Sequence, residues 1–244
     1  ALGHAAWFGY NAVGNVVAAL DPTGMLIQYT YDALDRPVSV TVPGVGQAAT
    51  YAYDAAGNLT AVTDANGHVT QYGYDALNRL AQVSDPLGHV TSYDYDPVGN
   101  LSAVTDTNGR VTQYGHDALN RLAQVIDPLS HVTSYDYDPV GNLSAVIDAN
   151  AHTRTYVYDA LNRLVAASNP LGHTTAYGYD AVGNTTVISD ADGGVTTVAY
   201  DSLNRPVQMA YPAVGATSGY TVTYVYDAVG NRRIMSDTTG MTSY

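Results

Sequence analysis

An aromatic residue recurs along this chain at almost constant intervals: Tyr10, Tyr31, Tyr53, Tyr74, Tyr95, His116, Tyr137, Tyr158, Tyr179, Tyr200 and Tyr226. The step is 21 residues, with one of 22 and a last one of 26 that carries an insertion in "YPAVGATSGY". A fixed period of this length means one supersecondary unit repeated, each unit burying its surface against its neighbours. A second period of 42 is superimposed, because units reading "AVGN" or "PVGN" alternate with units reading "ALNR". The chain is therefore expected to be a single repeat array over 1–244, about eleven units long.

Each unit holds two turn signals. The first follows the aromatic residue, and the fourth position after it reads Gly14, Asp35, Gly57, Asn78, Gly99, Asn120, Gly141, Asn162, Gly183, Asn204 and Gly230. Gly, Asn and Asp are the residues that best tolerate a left-handed backbone, so both kinds of unit meet the same requirement. Just before them stand Asp54, Asp75, Asp96, Asp138, Asp159 and Asp180, placed to accept backbone N–H groups as in an Asx-turn. The second signal is "DANG", "DPLG" or "DTNG", as at Asp64–Gly67 and Asp85–Gly88. These two positions hold 18 of the 22 Asp residues, so the negative charge is mostly turn chemistry.

Between the turns lie short segments rich in Val, Thr and Tyr with a period of two, such as "HVTSYDYD". Two four-residue turns per unit leave about six residues for each strand. No segment shows helical apolar spacing. The expected fold class is all-β: an antiparallel meander of tandem hairpins, roughly twenty strands, forming a curved or spiralling single sheet. A second aromatic precedes most marks by two, as Tyr72 precedes Tyr74 and Tyr93 precedes Tyr95. Residues two apart share a strand face, which predicts two rows of rings packing along the sheet. Leu59, Leu80, Leu101 and Leu122 are expected to cap the rows, while Val62, Val83 and Val104 lie at the opposite parity. The register that decides which Val meets the rings stays open.

The units "YDALNRL" and "YDPVGNL" closely resemble the YD repeats of RHS proteins, found also in insecticidal toxin complexes and in teneurins. The resemblance spans about Gly9 to Asp237. It implies a strip of sheet that winds into a hollow shell and, in bacterial members, encloses a toxic C-terminal polypeptide. It also implies a secreted or cell-surface location and, as partners, the remaining shell repeats and that effector. The family's terminal protease segment and toxin domain are absent from this sequence, which reads as an excerpt truncated at both ends. Tyr53, Asp54, Gly57, Tyr74, Asp75, Asn78, Tyr95, Asp96, Gly99, Asn120, Tyr137, Asp138, Gly141, Tyr158, Asp159, Asn162, Tyr179, Asp180 and Gly183 are the repeat-defining structural residues.

Composition excludes several functions. A net charge of −13 with 9 basic residues, all Arg, argues against nucleic acid, which needs a basic patch. No apolar run approaches the ~20 residues of a membrane helix, and the absence of Cys removes disulfides and thiolate metal sites. His68, His89, His131, His152 and His173, with Arg110 in line, form a row at one turn position. Like positions lie two strands, about 10 Å, apart, whereas zinc holds its ligands at about 2.1 Å, so no metal is expected. The "DTNG" turns are too short for a calcium loop. Asn58, Asn100, Asn142 and Asn184 match a glycan acceptor pattern because the turn itself calls for Asn. Every candidate residue recurs, whereas an active site is singular, so no enzyme and no cofactor are expected. Two functions remain open: a structural shell segment, and an adhesin module whose Tyr rows bind a cell-surface glycan or protein. The apolar opening "ALGHAAWFGY" lacks charged gatekeepers, which predicts head-to-tail self-association through edge strands.

Overall fold

The computed structural model describes residues 6–21, 23–213, 218–237 and 240–243. Among them are 23 β-strands, from Trp7–Tyr10 to Gly240–Ser243, and no helix. They fall into two compact units, Ala1–His116 and Asp117–Tyr244. In the first, the strands Trp7–Tyr10 to Val111–His116 follow one another, each pairing antiparallel with the next. The second repeats this plan from Leu122–Ile126 to Gly240–Ser243. The all-β meander of hairpins is thus the observed fold, with strands of four to eight residues. The insertion expected near residues 211–220 lies partly outside the described residues; on either side of it Tyr211 pairs with Tyr220.

In most repeats the two turns have one geometry. In the first kind, Gly57 N–H donates to Asp54 C=O (3.1 Å) and Asp54 N–H donates to Asn58 C=O (2.9 Å). In the second, Gly67 donates to Asp64 (3.0 Å) and Asp64 to His68 (2.9 Å). Both are four-residue turns whose fourth residue is left-handed. That residue has φ of 97° at Gly57, 103° at Gly99, 101° at Gly141 and 99° at Gly183, but 59° or 60° at Asn78, Asn120 and Asn162. The alternation of Gly with Asn has a physical reason: Asn tolerates the left-handed basin near 60°, whereas a φ near 100° suits a residue without Cβ.

The register answers what the sequence leaves open. Tyr72 lies opposite Val83 and Tyr74 opposite Leu80, with Ala81 inserted as a bulge between them. The next hairpin repeats this, pairing Tyr93 with Val104 and Tyr95 with Leu101 around Ser102. Without the extra residue, Leu and Val three apart would point to opposite faces; the bulge puts both beside the Tyr pair. The other face carries small and polar residues, including Gly73, Gln82, Ser92, Asp94 and Ala103. Within each unit the described strands touch only their neighbours in the sheet, and among the described residues Val222 alone is buried, at 7% exposure.

Candidate functional site

The recurrent side chains form latches along the turns. Most turn Asp residues use one carboxylate oxygen for backbone N–H groups and the other for the side chain four residues on; Asp21, Asp106 and Asp190 bond only the backbone or a nearer hydroxyl. Asp75 Oδ1 accepts from Leu77 and Arg79 N–H (2.8 and 3.0 Å), and Oδ2 accepts from Arg79 Nε at 2.7 Å. Asp159 and Arg163 are joined in the same way, also at 2.7 Å. Asp54, Asp96, Asp138 and Asp180 instead hold the Nδ2 of Asn58, Asn100, Asn142 and Asn184 at 2.9–3.0 Å. In the second turns the partner is histidine: His68, His89, His131 and His152 meet Asp64, Asp85, Asp127 and Asp148 at 2.8–3.1 Å. Four of the five histidines of the row therefore complete turns, and no three metal-ligating side chains converge among the described residues. These contacts hold the carboxylates below their ordinary range. For Asp75 the largest cause is the Arg79 N–H, and for Asp159 it is the Arg163 guanidinium.

Contacts between hairpins explain the 42-residue period. Arg36, Arg79, Arg121 and Arg163 each lie over the tyrosine of the following unit, Tyr53, Tyr95, Tyr137 and Tyr179, at 4.3–4.6 Å from the ring centre. In the other kind of unit, Asn58, Asn142 and Asn184 donate to Asn78, Asn162 and Asn204 one turn on, at 2.9–3.0 Å. The tyrosines are fixed at the hydroxyl as well: Tyr74, Tyr95, Tyr137 and Tyr179 donate to the carbonyls of Leu59, Leu80, Leu122 and Leu164 at 2.7–3.0 Å. Tyr158 lies opposite Leu164, and burial pushes its phenol up. The expected rows of stacked rings are corrected by this arrangement. Among the described residues Tyr211–Tyr220 is the one stacked ring pair, at 4.7 Å, because equivalent rings sit two strands apart, and in alternate units an Arg lies over the ring.

Two features escape a reading of the sequence by turns of four. One is the fifth turn position, whose residue closes the carboxylate latch; its signal is that Arg, Asn or His stands there in nearly every turn. The other is the tip of the first turn, where Leu77, Val98, Leu119, Val140, Leu161 and Val182 are all about 70% exposed. Turn chemistry does not call for aliphatic residues there, so the edge of each unit carries an apolar ridge.

Comparison with known proteins follows this geometry. The RHS repeat family model matches residues 10–44, 53–90, 74–108, 95–132, 116–153, 137–174, 158–188 and 179–216. The chain belongs to the RHS repeat family. No curated protein matches it. Among solved structures it is similar to the crystal structure of TcdB2-TccC3-TEV, with a TM-score of 0.73 at 17% identity over 98% of this chain and 15% of that one. The TcdB2-TccC3 crystal structure gives a TM-score of 0.73 at 16% identity, over 98% of this chain and 16% of that one. The Photorhabdus luminescens Tc holotoxin pore gives 0.72 at 17% identity, over 98% and 15%. At these identities the likeness is one of fold. The RHS repeat segment spans about one-sixth of the length of the chains it matches.

Proposed function

We propose that this RHS repeat segment is a wall element of an exported bacterial toxin-type shell, enclosing a C-terminal effector, and that it catalyses nothing. The observation that carries this reading is that, among the described residues of each unit, strands pack only against their sheet neighbours, with turn latches along the sides rather than a core. A domain with a site to shape normally packs two or three layers around one core. A wall needs continuity, defined edges and two faces of different chemistry. On this reading the Tyr, Asp and Gly or Asn marks from Tyr53 to Gly183 are structural throughout. The partners are the neighbouring shell repeats and the effector, at a secreted or cell-surface location. Limited proteolysis of the full-length parent tests it: the C-terminal polypeptide should resist protease while the array is intact and be digested once a stretch of repeats is removed. Equal digestion of both would sink the proposal.

The strands Trp7–Tyr10 and Gly240–Ser243 each pair with one neighbour, and Trp7 and Phe8 are about half exposed. We propose that these open edges accept a further strand, from adjoining repeats or from a second copy, by β-augmentation.

A further inference from the structure

The two edges of the strip differ in chemistry. In the unit Asp117–Tyr244 the tips of the first turns read Leu119, Val140, Leu161, Val182, Leu203 and Val229, each 67–83% exposed. The residues before them, Ala118, Pro139, Ala160, Ala181, Ser202 and Ala228, are exposed as well. At the same position of the second turns apolar residues never follow one another: Leu129, Asn150, Leu171 and Asp192 stand there. In the unit Ala1–His116 the row of first-turn tips is broken by Ala56. One edge of the second unit is therefore an unbroken apolar ridge, its tips two strands apart and evenly pitched at about 10 Å. The charge beneath the tips alternates too. The Leu turns are closed by Asp117–Arg121, Asp159–Arg163 and Asp201–Arg205 ion pairs of 2.7 Å and are neutral. The Val turns are closed by Asn142, Asn184 and Asn231 on Asp138, Asp180 and Asp227, so each keeps one negative charge.

We propose that this ridge is an interface between two copies of the chain, paired edge to edge and antiparallel about a two-fold axis between Leu161 and Val182. Three properties point to a second copy. The pitch is the first: a row of tips every two strands matches another row of the same repeat and few other surfaces. Area is the second. The six tips present roughly 700 Å² per copy, against about 800 Å² per partner in an interface of standard size, and the Ala and Pro beside them add to it. Charge is the third, and it fixes the direction. Reversing one row of six alternating tips sets Leu161 against Val182 of the second copy, Val140 against its Leu203 and Leu119 against its Val229. Every contact then joins a larger side chain to a smaller one, and every negatively charged turn faces a neutral Asp–Arg turn. Parallel rows in register would oppose Val to Val and carboxylate to carboxylate, a like-charge arrangement that an interface avoids. The net charge of −13 still opposes association, so pairing strengthens with added salt. It uses neither the open terminal strands nor an enclosed effector, and stands or falls apart from both.

The chain has no cysteine, so introduced thiols report the pairing cleanly. Leu161→Cys and Val182→Cys are made in separate chains, mixed in high salt and oxidised. Cross-linked dimer should form in the mixture and in neither chain alone, because two copies of one position lie about 10 Å apart in this pairing, beyond the ~7 Å between Cα atoms that a disulfide spans. Adding Leu203→Asn to both chains should slow the cross-linking about tenfold, through loss of apolar contact on either side of the axis. Asn150 occupies the same place in a second turn, so the substitution leaves the turn intact. Cross-linking within either single variant would show parallel rows, and no cross-linking in the mixture would show an unpaired ridge. Either result, or a rate unchanged by Leu203→Asn, would overturn the proposal.

Discussion

At the scale of single residues, backbone conformation and carboxylate chemistry decide what each position tolerates. Gly99 has a φ of 103°, so Gly99→Val should cost about 1–2 kcal/mol in urea unfolding, the penalty for a branched side chain in a left-handed conformation. The converse holds at Ser130 and Ala151, which adopt φ of 67° and 62° where most second turns carry Gly. Ala151→Gly should raise the melting temperature, with a gain of about 0.5–1 kcal/mol because relief of strain exceeds the entropy that Gly adds to the unfolded chain. A lower melting temperature would show that the turn relaxes around alanine. Arg121→Lys removes a planar guanidinium lying 4.3 Å from the Tyr137 ring; the lost ring contact alone should cost about 0.5–1 kcal/mol. The pH dependence has a definite sign. Asp117 is held below its ordinary range first by the Arg121 N–H and then by its guanidinium, and Asp127 first by the His131 N–H. The folded pKa lies below the unfolded value of about 3.9, so the stabilisation is complete above that pH and is lost as pH falls through the lowered values. Melting temperature should therefore hold from neutral pH down to about pH 5 and drop steeply below about pH 4.

At the scale of the hairpin, the repeat that matters is the pair. An Arg unit clamps the next tyrosine and an Asn unit bonds the next Asn, so two Arg units in succession keep the ring contact and lose the Asn–Asn bond. Deleting residues 138–158 puts two Arg units in succession, whereas deleting 138–179 preserves the alternation. The longer deletion should yield the more stable protein in thermal unfolding; the reverse order would mean that the alternation is a relic of duplication without energetic content. This is also where the sequence stops being readable. The strands, both turns and the left-handed positions follow from local rules: Gly, Asn and Asp at the fourth position announce a φ that few other residues accept. The bulge at Ala81 is silent, because an extra Ala in a strand looks like any other, and so the common face of Leu80 and Val83 cannot be derived from parity. Stacking between the ring rows fails for a related reason: spacing along the chain says nothing of the roughly 10 Å between equivalent strands, a gap that Arg79 fills beside Tyr95.

At the scale of the molecule, a sheet with almost no buried side chain must draw its stability from many equal neighbour contacts, as repeat arrays do. Its open strands and its charge then act against each other. Light scattering should show mass rising with concentration, and rising further with added salt as the net charge of −13 is screened; a constant monomer mass in high salt would end the edge-pairing proposal. The apolar ridge of Leu77, Val98 and their counterparts gives such strips a second surface to cover. The most direct measurement of the wall role is an electron cryomicroscopy structure of the full-length parent. It should show residues 6–243 as part of a closed wall, with one face turned to a lumen that holds the C-terminal polypeptide. An array standing free of the rest of the chain, both faces in solvent and no enclosed density, would contradict the account.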